Sequence, residues 1–150
     1  CARESAVVSH DHPEGVRGAE AIALATFLAR QGVGKADLLA EVAAHSGYDL
    51  GFSLDEVRDA YVFDATCQGS VPHALVAFRE GVDFEDVIRS AVSIGGDSDT
   101  IACMAGAVAE AYFDGVPETI ATEVKARLDD RLIGVLETFA ERFSLPRLAQ

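Results

Sequence analysis

Apolar residues recur along this chain at three- and four-residue spacing between glycine and proline breaks, and no stretch sustains a period of two. The pattern predicts an all-α fold of about seven to nine helices with essentially no sheet. Residues 2–8 are helical, and the chain opens inside them. Ser9-His10-Asp11-His12-Pro13-Glu14-Gly15 is the first break, because Pro13 drives His12 out of helical geometry. Residues 16–30 form the next helix, with Val16, Ala19, Ile22, Ala23 and Phe27 on overlapping inward faces and Gly32 and Gly34 ending it. Residues 35–45 turn Leu38, Leu39 and Val42 inward and carry His45 in the last turn, where a cation is favourable. Ser53-Leu54-Asp55-Glu56 spells a capping box for a short helix.

From Tyr61 to Ser70 the period is lost. That stretch mixes aromatic, hydroxyl and amide groups, and reads equally as a ligand-lining loop or a buried connection. Residues 71–79 are helical, with Pro72 tolerated in the first turn. Asp83-x-x-Asp86 opens a helix over 84–94. Small residues dominate 101–113 (Ala102, Ala105, Gly106, Ala109, Ala111), which predicts a central helix surrounded by neighbours, with Cys103 packed inside it. Gly115-Val116-Pro117 ends that helix and starts a short one to about residue 124. Leu128, Leu132, Val135, Leu136, Phe139 and Phe143 then fall at helical spacing. Their polar side is mixed in sign, so they read as a core-covering helix and not a membrane-surface one.

Length and composition narrow the functions open to such a chain. The 150 residues are 49% hydrophobic, enough for one helical domain with a core, and no repeat or linker divides them. Twelve basic residues against twenty-five acidic ones give a net charge of −13, which leaves no patch for a nucleic-acid backbone. Three cysteines without a CxxC pair suit reduced thiols and a cytoplasmic location better than a disulfide framework. No apolar run reaches the roughly 18 residues of a membrane span, and no signal peptide is evident. The chain begins at Cys1 rather than methionine and reads as a fragment or processed piece.

Candidate chemistry concentrates in Gly95-Gly96-Asp97-Ser98-Asp99-Thr100, between an apolar run and a helix start. Paired glycines permit backbone that a side chain forbids. Asp97, Asp99 and the Thr100 hydroxyl are hard oxygen donors of the kind Mg²⁺, Mn²⁺ or Ca²⁺ prefer. Helix capping is the plainer account from spacing alone, and explains one of the two aspartates. His10 and His12 with their neighbouring acids fit either metal ligands or, as the plainer account, a solvated polar turn. No lysine follows the glycine pair to make a phosphate loop, and no local nucleophile signature occurs.

Three stretches together resemble the C-terminal half of the ADP-ribosylglycohydrolase family, an all-helical group. They are Ser9 to Gly15 with the helix after it, Phe63-Asp64-Ala65-Thr66-Cys67-Gln68-Gly69-Ser70-Val71-Pro72, and Gly95 to Thr100. Their order and spacing match over essentially the whole chain. The resemblance implies a multi-helical orthogonal bundle and two Mg²⁺ ions, with Mn²⁺ as a substitute, at the bottom of a cleft. It assigns Asp97, Asp99 and Thr100 as metal ligands. Substrate contacts would come from His10 and His12 at the rim, the Gln68-Gly69-Ser70 loop, and Gly96 and Ser98. It further implies removal of ADP-ribose from a modified protein side chain or a small molecule.

The family's Thr-Asp-Asp-Thr run and its early Gly-Asp have no counterpart here. The resemblance therefore leaves the remaining metal ligands and the general acid or base to a missing N-terminal half, with this chain holding about half of the site. Two further readings stand beside the enzyme. One is a catalytically incomplete module that binds ADP-ribose or metal. The other is a helical partner that completes a bundle with a separate N-terminal chain. If the cleft is built from both halves of the fold, the isolated chain is expected to be marginally stable, prone to self-association and silent in turnover.

Overall fold

Glycine and proline punctuation and side-chain caps cut the chain into helices close to those predicted. The computed structural model describes residues 1–143, and among them are nine helices and no strand. The helices are α1 (Ala2–Ala6), α2 (Pro13–Arg30), α3 (Lys35–Ser46), α4 (Leu54–Val57), α5 (Cys67–Glu80), α6 (Phe84–Ser93), α7 (Ser98–Tyr112), α8 (Glu118–Lys125) and α9 (Asp130–Arg142). They fall into two compact units, Cys1–Gly115 and Val116–Gln150. Among the described residues no helix is long and apolar enough to cross a membrane.

Local chemistry accounts for most boundaries. Ser53 and Glu56 make the reciprocal capping box of α4. Asp83 accepts the Asp86 amide at 2.8 Å to start α6. Gly47, in the left-handed conformation, closes α3. Pro117 is the N-cap of α8, and Asp129 accepts the Leu132 amide at the start of α9. Three helix starts come earlier than expected: α2 begins at Pro13 instead of residue 16, α7 at Ser98 instead of 101, and α5 at Cys67 instead of 71. Cys67-Gln68-Gly69-Ser70 is the first turn of α5 and not a loop, because Thr66 Oγ1 accepts the Gly69 amide at 3.1 Å and nucleates the helix four residues early.

In the first unit the helix enclosed by its neighbours is α5. Val71, Ala74, Leu75, Val76, Ala77 and Phe78 are all buried, and α2, α3, α4, α6 and α7 pack around them. The small-residue helix α7, predicted to be surrounded, is instead one-sided. Ile101, Ala105, Val108 and Ala109 pack on α2, α5 and α6, whereas Cys103 and Ala107 are exposed. Its alanines serve close approach on one face, and Cys103 is not a packing residue.

The inward face of α2 also differs from expectation. Val16, Gly18, Ala21, Ala25 and Ala29 are buried, while Ala23 is exposed and Phe27 is 59% exposed. The helix is apolar on both sides, and the side with the smallest residues won because α2 must approach α5 and α7 closely. A Cβ placed on Gly18 would lie 2.9 Å from Cys67 Sγ, so the Cys67 side chain occupies the space a side chain at this position would need.

A cation fastens the far ends of three helices. Lys35, the first residue of α3, donates from Nζ to Phe78 O at 2.8 Å and also to Gly81 O at the end of α5. The same ammonium sits 4.8 Å from the Phe78 ring centroid, 5.5 Å from Tyr112 and 5.0 Å from Phe113. It thereby meets the orphan carbonyls of α5 and the closing aromatic pair of α7 together. Burial lowers the Lys35 pKa, with Asp86 opposing the shift.

In the second unit, α9 has the predicted apolar spacing but does not bury it. Val135 is 58% exposed, Phe139 54% and Phe143 55%, and Ala140 is the buried residue of the helix. Within its own unit the stripe is left uncovered by the described residues. Phe139 and Phe143 pack on one another, with ring centroids 4.6 Å apart.

Candidate functional site

The turn that enters α7 is built from two left-handed glycines, Gly95 at φ +78° and Gly96 at φ +58°. They reverse the chain after α6 and deliver Asp97 to the N-cap of α7, Asp99 to its first turn and Thr100 one residue further. Ser53, Thr66, Asp83 and Asp129 all cap their helices by accepting a backbone amide. Asp97 makes no such bond. Its Oδ1 accepts instead from the Thr100 hydroxyl, at 3.0 Å.

That pairing bears on whether the residues suit a hard divalent cation. Oxygens that share an edge of a Mg²⁺ octahedron, each about 2.1 Å from the ion, stand about 3 Å apart. The Asp97–Thr100 pair has that separation, and all three donors are hard oxygen groups. The donor chemistry therefore fits. The set is short, since no group of three or more His, Cys, Asp or Glu side chains converges among the described residues. Asp99 and Thr100 are exposed, and Asp97 and Ser98 are half-buried.

The second motif is held against this turn by the segment between α4 and α5. A Cβ at Gly96 would lie 2.5 Å from Tyr61 Cε1 and 3.3 Å from Val62 O, so only glycine lets the two segments meet. Downstream, Asp64 Oδ1 accepts the Thr66 amide at 2.8 Å, and this backbone hydrogen bond leads the causes that lower its pKa. Ser70 is 3% exposed, and its Oγ donates to Asp64 O at 3.0 Å, so that hydroxyl is committed within the fold. Gln68 is exposed beside half-buried Gly69 on the first turn of α5.

His73, one turn further along α5, packs between Phe52 and Tyr61, with ring centroids 5.1 Å and 4.6 Å away. Its Nδ1 is buried without a hydrogen-bond partner, and burial lowers its pKa from 6.5. Burial likewise raises the pKa of the Tyr61 phenol.

His10 and His12 occupy the entrance to α2. Both are exposed. The Nδ1 of His10 shares a hydrogen bond with Ser9 Oγ at 2.8 Å, and that of His12 accepts the Glu14 amide at 3.2 Å as the α2 N-cap. His12 lines a cavity of about 350 Å³ with Arg3, Asp11, Arg17 and Glu20. Both guanidiniums there are already paired, Arg3 with Glu20 at 3.1 Å and Arg17 with Glu14 at 2.8 Å. The Gly18–Cys67 approach joins this helix to α5, and Tyr61 joins α5 to the glycine turn. Sequence reasoning placed Tyr61 at the start of a stretch that could line a ligand but gave it no role of its own, and did not single out His73. A lone aromatic inside an aperiodic stretch carries no signal until the glycine it packs against is known.

The three motifs thus lie on helices that pack on one another, α2, α5 and α7. Compared with known proteins, no curated protein and no solved structure matches the chain. The family model for ADP-ribosylglycohydrolase does match, over residues 1–149. An all-helical fold and that match over nearly the whole length agree, and the chain belongs to the ADP-ribosylglycohydrolase family.

Proposed function

We propose that these residues supply one wall of a metal-dependent site that hydrolyses the glycosidic bond between ADP-ribose and a protein side chain or small molecule. Membership in the family supports the glycohydrolase class. The observation that carries the metal reading is Asp97, an N-cap aspartate whose carboxylate is withheld from capping and paired with Thr100 Oγ1. Asp97, Asp99 and Thr100 would hold Mg²⁺ or Mn²⁺. When bound, such an ion supplies Lewis acidity at the ribose and a counter-charge for the diphosphate.

The chain's own residues do the rest of the positioning. A diphosphate approaching a protein of net charge −13 needs local donors. Gly96 and Ser98 offer backbone at the start of α7, where a helix N-terminus favours an anion. Gln68 presents an amide from the first turn of α5, and His12 a ring nitrogen from the α2 entrance. Three oxygen donors are half of an octahedral shell. A segment bearing Thr-Asp-Asp-Thr, outside residues 1–150, would complete it and bring the general acid that glycosidic cleavage uses.

Release of ADP-ribose from an ADP-ribosylated protein, with and without Mg²⁺, tests this reading. Metal-dependent release by the complete protein, abolished in Asp97→Ala, is the expected result. A second reading, a binding module without turnover, draws on the short donor set. Binding of ADP-ribose with no release under any metal would select it.

A further inference from the structure

Tyr61 stands where two of the three motifs meet. Its ring lies against Gly96, and a Cβ there would fall 2.5 Å from Cε1 and 3.0 Å from Cδ1. Its hydroxyl donates to Gly69 O, in the first turn of α5, at 2.9 Å. The same ring packs on His73 at 4.6 Å. A tyrosine that merely filled the core would sit among apolar side chains. Tyr61 is only half-buried, and its chain neighbours Val62 and Phe63 are 73% and 68% exposed.

The glycine turn needs an external support. Gly95 and Gly96 both lie in the left-handed region and have no side chain with which to fix their own backbone. The Tyr61 ring and Val62 O provide a wall against Gly96, one residue before Asp97. We infer that Tyr61 is a positioning residue of the site: its ring sets the Gly96–Asp97 backbone, and its hydroxyl sets the Gly69 carbonyl in the first turn of α5. The inference rests on the proposed role of Asp97 and divides into two arms. The ring governs how well the aspartates hold a metal, and the hydroxyl governs how well the α5 lip holds the nucleotide.

The test uses the protein as its gene encodes it, in wild-type, Asp97→Asn, Tyr61→Phe and Tyr61→Leu forms, each checked for native helicity. Mn²⁺ affinity is read by electron paramagnetic resonance and ADP-ribose affinity by calorimetry. Tyr61→Leu should weaken Mn²⁺ binding about tenfold, the order expected when the support of a metal ligand is lost. Tyr61→Phe keeps the ring and should change Mn²⁺ affinity less than about twofold, yet weaken ADP-ribose about fivefold through one lost hydrogen bond. Gly96→Ala should also weaken Mn²⁺, and Tyr61→Leu in that background should recover part of the loss by relieving the clash.

Mn²⁺ affinity unchanged in Tyr61→Leu, while Asp97→Asn lowers it, would overturn the ring arm. Unchanged ADP-ribose affinity in Tyr61→Phe would overturn the hydroxyl arm. Should Tyr61→Leu fail to fold, Tyr61→Met replaces it on the ring arm, and Tyr61→Phe still decides the hydroxyl arm. An Asp97→Asn protein that binds Mn²⁺ like the wild type would overturn the metal reading and the ring arm with it.

Discussion

Asp97 and His73 show how a side chain's role depends on what it is denied. Asp97 forgoes the capping bond that Ser53, Thr66, Asp83 and Asp129 make, which keeps its carboxylate available beside Thr100. Asp97→Ala should lower metal-dependent ADP-ribose release at least about a hundredfold, measured at saturating Mg²⁺. Helix content should stay unchanged by circular dichroism, because no cap is lost. At His73 it is the Nδ1 atom that is denied water. Its folded pKa lies below the ordinary 6.5, so as pH falls the unfolded chain takes the proton first. The stability that follows from keeping His73 neutral is full above about pH 6.5 and declines as the solution is acidified below it. Melting temperatures between pH 8 and 5 should fall less in His73→Phe, which keeps the ring between Phe52 and Tyr61 and removes the titration. An equal fall in both proteins would reject the assignment. The aspartates were legible in the sequence because they lie in one short motif. His73 and Tyr61 were not, because their partners lie in other segments of the chain.

At the scale of the helices, the legible signals were the local ones. The Ser53–Glu56 box, Asp83, Gly47 and Pro117 act within four residues, and each marks a real boundary. Thr66 acts the same way but was masked by Gly69, Ser70 and Pro72, poor helix formers in the first two turns of α5. Thr66→Ala should cost about 1 kcal/mol in urea denaturation. It should also loosen the α5 lip and raise KM more than it lowers kcat. The faces of α2 and α7 could not be read from periodicity, since both helices are apolar or small around most of their circumference. Which side turns inward was decided by approach to α5: Gly18 beside Cys67 on α2, and Ala105 and Val108 on α7. For α9 the reverse holds. Its period is clear, yet Val135 and Phe139 stay exposed, because period alone reports an apolar face and not what covers it.

Charge belongs to the whole molecule. A net −13 on 150 residues repels itself, so neutral salt should raise the melting temperature by screening, most steeply below about 0.1 M. Mg²⁺ should add a separate increment at matched ionic strength. An ion held with a Kd of about 1 mM contributes about 1.4 kcal/mol at 10 mM. Asp97→Asn should lose that increment and keep the general salt effect, a comparison made by calorimetric melting in MgCl₂ and NaCl. The clamp around Lys35 extends this view across the first unit. It grips Tyr112 and Phe113, at the opposite end of α7 from Asp97. The fifteen residues between make a lever arm of about 22 Å. Metal ligands tolerate displacement of only about 0.5 Å. On such an arm a swing of little more than one degree at the clamp consumes that whole tolerance. Lys35→Met should accordingly lower turnover although no atom of it approaches the site, making the most remote end of the helix the most sensitive adjustment of its aim.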